Sequence, residues 1–226
     1  MKQYGFLAIW CDMAAEDLDD YRAWLMQEHM ADRTGLPGFL SARLFEGLDV
    51  PTSHFILYAT EGPEVLESAP YLAVLDAPSD WTRRIMPRFG PFDRAAGRQL
   101  WKMGNGTGPC LAVARITPDG GDPDPQAVQR ALAHLIDLPG IAGMRLMGVD
   151  RAATDIATEE KTMRPGGEGA FRHLLVVEAV SDTAIRGAVP AIEDAAVAAF
   201  GPRAAVDLST RRLVYAEAPH EGPAAR

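Results

Sequence analysis

Leu36-Pro37-Gly38-Phe39-Leu40-Ser41-Ala42-Arg43-Leu44 returns 102 positions later as Leu138-Pro139-Gly140-Ile141-Ala142-Gly143-Met144-Arg145-Leu146. Each copy follows a helical pattern and opens an alternating, strand-like one. Pro-Gly between two periodic segments is a turn signal, because proline presets φ and glycine supplies conformations closed to other residues. A turn of the same wording, in the same place between helix and strand, predicts a doubled fold.

Working outward from the first copy, residues 5–12 form a compact apolar run that reads as a buried strand. Glu16, Asp17, Asp19 and Asp20 then put negative charge where the dipole of a starting helix favours it. That helix ends before Gly35. Residues 39–46 and 54–60 read as strands joined by a hairpin-like connection. Residues 68–89 read as a helix broken at Pro78, with Ser79-Asp80 able to cap the second piece. Residues 97–103 read as a fourth strand. The second copy repeats the order: strand 110–116, helix 125–136, strands 141–149 and 171–180, helix 184–200, strand 208–217. Gly104-Asn105-Gly106-Thr107-Gly108 marks the boundary, giving 1–105 and 106–226 as the two repeats. An insertion at 151–169, a lid or a solvated ornament, interrupts the second.

Each βαββαβ unit has helices for only one face of its sheet, so the other face must be buried elsewhere. The expected architecture is α+β: two ferredoxin-like βαββαβ repeats packing their antiparallel sheets as an intramolecular pseudo-dimeric α/β barrel. Exposed helix faces leave room for a homodimer of pseudo-dimers.

Composition narrows the function. The 226 residues are 47% hydrophobic and 23% charged, with net charge −9. Nucleic acid and anionic membranes draw on clustered Lys and Arg, so neither is an expected partner. No apolar run approaches the roughly 18 residues of a membrane span, and no signal-peptide core opens the chain. A soluble, cytoplasmic protein is expected, with Cys11 and Cys110 as buried thiols in apolar strands. Zinc-ligand spacing, a phosphate loop and a nucleophile elbow are absent, so no metal or cofactor is assigned.

The repeated strand order, the helix bearing Trp24-x-x-x-Glu28-His29, and the Leu36-Pro37-Gly38-Phe39 that follows resemble the dimeric α/β-barrel superfamily of ferredoxin-like domains, in a tandem form with two fused copies. Tyr71-Leu72-Ala73 followed by Trp81 is similar to a mostly uncharacterised branch. The resemblance spans the chain up to the 219–226 tail. It implies a cavity between helices and sheet, a site used across the superfamily for haem degradation, cofactor-free quinol oxygenation, isomerisation, cyclisation, dehydration and stress responses. One fold with so many activities does not transfer any one of them.

Comparing the copies separates fold from candidate site. His29 borders the apolar helix face, and imidazole is the side chain most easily poised near neutral pH. In the second copy Ala131 stands opposite His29 and Arg130 opposite Glu28, so folding does not require the pair. The expected catalytic residues are His29 as base, with Arg43 or Tyr58 stabilising an oxyanion. Trp24, Glu28, Tyr71, Trp81 and His54 are expected to bind substrate, with His54 near solvent. Alternative readings make Arg43, matched by Arg145, a structural ion-pair partner, and Tyr58 a core tyrosine.

All four tryptophans, Trp10, Trp24, Trp81 and Trp101, fall in the first copy. That predicts an aromatic-lined cavity there for a small hydrophobic or aromatic molecule. The leading expectation is a cofactor-independent enzyme using His-based proton transfer, of lyase or isomerase type. The alternatives are a cofactor-free or haem-dependent monooxygenase, with His29 as axial ligand in the haem case, and a non-catalytic stress protein that sequesters a metabolite.

Overall fold

The structure, a computed structural model, describes residues 3–154, 157–164 and 167–220. Part of the 151–169 insertion and most of the 219–226 tail lie outside the described residues. Strand β1 (Gly5–Asp12) leads into helix α1 (Leu18–Trp24), a π turn (Leu25–His29) and α2 (Ala31–Thr34), then β2 (Phe39–Gly47) and β3 (Ser53–Thr60). Next come α3 (Ala69–Leu75), α4 (Asp80–Ile85) and β4 (Phe92–Met103). The second half runs β5 (Cys110–Thr117), α5 (Pro125–Leu132), β6 (Ile141–Val149), α6 (Arg151–Thr154), α7 (Glu159–Met163), β7 (Gly167–Glu168), β8 (His173–Ala179), α8 (Asp182–Phe200) and β9 (Ala205–Glu217).

Local chemistry explains these boundaries. Gly38 and Gly140 adopt φ of +90° and +79°, the left-handed conformation that lets each Pro-Gly turn feed its strand. Ser79 caps α4 by accepting from the Thr82 backbone N–H, and Ser181 caps α8 in the same way through Ala184. β4 begins at Phe92, five residues before the expected start, because Phe92–Ala96 pair with β1 although Asp93 and Arg94 interrupt the apolar pattern.

Eight strands close into an antiparallel barrel in the order β1-β3-β2-β9-β5-β8-β6-β4, with β4 returning to β1; β7 adds a short parallel pairing to β4. Within the first half the order is β4-β1-β3-β2, and within the second it is β9-β5-β8-β6. The halves meet edge to edge through β2–β9 and β4–β6, rather than by laying one sheet upon the other. Closure removes every free edge among these eight strands.

Three cores result. The barrel interior holds Phe6, Trp10, Phe45, Phe55, Leu57, Val113, Phe171 and Val176. The helix-covered outer face of the first half packs Tyr21, Trp24, Leu25, Met30, Leu44, Tyr58 and Phe89. That of the second half packs Trp101 with Leu132, Leu146, Ile185 and Phe200. The four tryptophans are therefore dispersed: Trp10 fills the barrel, Trp101 belongs to the second-half core, and Trp81 sits partly buried at the rim of the first. Their clustering in sequence does not become a cluster in space, so that reason for a first-half cavity falls. Period-2 alternation is the cause, since it sends Trp10 and Cys11 to opposite faces of β1.

Candidate active site

A cavity of about 60 Å³ lies between the helices and sheet of the first half. Leu7, Ile9 and Cys11 of β1, Ile56 of β3, and Phe92 and Arg94 of β4 form its sheet wall; Trp24, His29 and Arg33 form one helical wall. Leu66, Tyr71, Leu72, Leu75, Met86 and Phe89 form the other. Thr158, Glu160, Lys161 and Arg164 reach in from the second half. Residues of the insertion thus form part of the cavity wall.

His29 closes the π turn, where the Met30 N–H donates to the Leu25 carbonyl at 2.9 Å. A π turn widens the helix by one residue and frequently marks functional positions. Here it turns His29 inward, 5% exposed, with its ring 4.1 Å from that of Trp24. Its Nδ1 is buried without a hydrogen-bond partner among the described residues. Burial, and secondarily the Arg33 guanidinium, hold its pKa well below the ordinary imidazole value. The ring is neutral at pH 7.

Arg33 lies one helical turn beyond. It is 3% exposed, donates through Nη1 to the His29 carbonyl at 3.1 Å, and through Nη2 to Glu160 at 2.6 Å. Burial alone would lower its pKa, but the Glu160 carboxylate, Tyr58 and Tyr71 together outweigh this and keep it raised. Arg33 was absent from the expected set, although its i+4 spacing from His29 was legible. Glu160 sits in an insertion with no periodic pattern, and no sequence signal tied it to Arg33.

Of the other expected residues, Trp24 and Tyr71 line the cavity. Trp24 is held by a 3.1 Å hydrogen bond from Nε1 to Thr82 Oγ1, and Tyr71 packs 5.5 Å from the Phe39 ring. Tyr58 is buried in the same core, and its hydroxyl has no partner among the described residues. It is not in the cavity wall. Burial raises its pKa against the pull of Arg33.

The remaining expectations need correcting. Glu28 accepts from Ser79 Oγ, and from Thr82 Oγ1 at 3.3 Å, so it ties the π turn to the cap of α4 and does not face the cavity. Trp81 donates to Asp20 Oδ1 at 2.9 Å at the rim. His54, expected near solvent, is fully buried on β3 with its ring 4.8 Å from Tyr21. Arg43 is engaged elsewhere. Its guanidinium forms a bidentate pair with Glu178 at 2.9 and 3.1 Å, and Arg145 reaches the same carboxylate at 2.7 Å. Alternation puts Arg43 on the face of Phe45, inside the barrel and away from the cavity.

Both cysteines are free and buried. Cys11 meets the Tyr21 hydroxyl at 3.1 Å in the cavity wall, and burial pushes its thiol up to about 12, so it is no nucleophile at neutral pH. No cluster of three metal-ligating side chains occurs among the described residues. Nor, among them, is any helix long and apolar enough to cross a membrane.

No family model and no curated protein matches the sequence. Solved structures match it over nearly its whole length. An anthrone oxidase-like protein aligns with TM-score 0.61 and 14% identity, over 100% of this chain and 97% of that one. A protein named as a monooxygenase from Lactobacillus acidophilus NCFM aligns with TM-score 0.58 and 10% identity, over 96% and 97%. One named as a chlorite dismutase aligns with TM-score 0.55 and 9% identity, over 95% and 96%. At these identities the likeness is one of fold: the chain has the dimeric α/β-barrel fold. Its chemistry has to be read from the site.

Proposed function

We propose that this protein is an enzyme acting on a small, hydrophobic, oxygenated molecule held in the first-half cavity, and that its chemistry begins when His29 removes a proton. The observation that supports this most directly is a neutral imidazole with a buried, unpartnered nitrogen in the wall of a largely apolar cavity, one helical turn from a buried guanidinium. An unprotonated imidazole accepts a proton from a phenol, or from a carbon next to a carbonyl. The anion that forms is stabilised by a fixed cation in a site that excludes water. Arg33 takes that role in place of Arg43, while Trp24 and Tyr71 shape the pocket.

Return of the proton at another atom gives isomerisation, and loss of a leaving group gives elimination. Addition of dioxygen to the same anion gives cofactor-free oxygenation. The fold neighbours named as a monooxygenase and as anthrone oxidase-like favour this last route.

We read 1–105 and 106–226 as two fused copies of one unit. The identical strand order supports this, as do bulges at matching places: one between Phe39 and Ser41 of β2 and one between Ile141 and Gly143 of β6.

The test is a tryptophan-fluorescence titration of wild type and His29→Ala with phenols, quinols and aromatic lactones, following product in the same samples. Binding by both proteins with turnover only in wild type supports the proposal. Binding with no turnover in either makes the cavity a sequestering site.

A further inference from the structure

Four side chains of the cavity wall are cationic, Arg33, Arg94, Lys161 and Arg164, and one, Glu160, is a carboxylate, in a chain whose net charge is −9. A basic lining in an acidic protein is a local feature that composition does not explain. Arg164 is set against the Phe92 ring, 4.2 Å from its centroid.

Arg33 shows where an anion is held. It is 3% exposed, and its carboxylate partner arrives from a segment 127 positions away in sequence. Glu160 touches it through one oxygen and one nitrogen, a single-point contact rather than the bidentate pairing that a guanidinium prefers. Arg33 also donates to the backbone carbonyl of His29, and both residues line the cavity, so a group bound to Arg33 lies in the space that His29 borders. His29 Nδ1, buried and without a partner among the described residues, supplies the second polar group there. With Glu160 in place, the space is too small for an aromatic substrate.

We propose that the cavity takes a hydrophobic carboxylate, and that the carboxylate of this ligand replaces Glu160 at Arg33, withdrawing the 157–164 segment from the wall as it enters. Glu160 is then the resident stand-in for the ligand's anionic group. This rests on the cavity being the substrate site; it adds the substrate's charge and the group that the substrate displaces.

Calorimetric titration of the full chain with benzoate, and with its neutral isostere benzamide, tests it. Wild type is expected to bind benzoate at least tenfold more tightly than benzamide. Glu160→Gln is expected to bind benzoate at least fivefold more tightly than wild type does, with benzamide unchanged. The pair Arg33→Met with Glu160→Leu removes both charges together, so neither is left buried alone; it should keep benzamide binding within twofold and lose the preference. His29→Ala should keep the preference, because the charge that distinguishes benzoate from benzamide is carried by Arg33 and not by the imidazole. Equal binding of the two probes by wild type, or no gain in Glu160→Gln, overturns the inference and leaves the cavity as a binding site. Binding of neither probe by any variant overturns both.

Discussion

Arg33 and Glu160 meet at 2.6 Å in the cavity wall, the first from the helix that carries His29 and the second from the other half of the chain. Neither is more than 7% exposed. Their pairing joins the second half's insertion to the first half's candidate site, and its energetics follow from burial.

Breaking one side of a buried pair costs more than removing both, because the survivor is left desolvated and uncompensated. Arg33→Met should therefore destabilise the fold by about 3–5 kcal/mol, while Arg33→Met with Glu160→Leu should be close to neutral. Urea denaturation of the three proteins at pH 7.5 reads the difference; additive losses would show that the pair is not coupled.

Glu178 on β8 compensates two guanidiniums, Arg43 and Arg145, inside the barrel, and its side chain is 1% exposed. Glu178→Gln strands two cations and should cost about 3–5 kcal/mol. Arg43→Met should cost clearly less, since Arg145 still neutralises the carboxylate. Chemical denaturation ranks them, and a larger loss for Arg43→Met would contradict the shared-carboxylate account.

Acid should destabilise this protein from pH 6.5 downward. Burial, and next the Arg22 charge, lower the pKa of His54 to about 4, against 6.5 when unfolded. Above pH 6.5 the ring is neutral in both states. Below it the unfolded chain gains a proton that the folded chain refuses, so stability falls until about pH 4, by about 3 kcal/mol. His29 and His173 are shifted the same way, chiefly by burial. Urea midpoints between pH 8 and pH 4 should drop in wild type and drop less in His54→Phe.

His29→Ala should lower turnover by about 10²- to 10⁴-fold, the usual contribution of a general base, with ligand binding largely kept. Because its pKa is held well below 6.5, His29 should cause no fall in kcat/KM between pH 8 and pH 6.5. A wild-type activity profile with an inflection near 6.5 that His29→Ala removes would show that the imidazole is in an ordinary, solvated environment.

Much of the fold was readable because it is local. A compact apolar run set β1 at Gly5–Asp12, the strand pattern after the second Pro-Gly turn set β6 at Ile141–Val149, and Pro78 with Ser79 marked the break between α3 and α4. The candidate site was readable only along its own helix. His29 was legible at the border of its helix's apolar face, and Arg33 stood at the next turn. The π turn was not, since its single wider turn leaves no mark in residue type.

What the sequence determined by itself was the return of the Leu-Pro-Gly turn, the order of the elements around it, and a helix whose polar and aromatic residues are not matched ahead of the second turn. These depend on spacings of two to four residues, which backbone geometry translates directly into faces. What only the tertiary structure decided was partnership. Barrel closure turned Arg43 inward to Glu178, dispersed the tryptophans among three cores, and brought Glu160 to Arg33. Such pairings join residues far apart in the chain, and which charge meets which is settled by how strand edges close and what the closure buries, information that no local pattern carries.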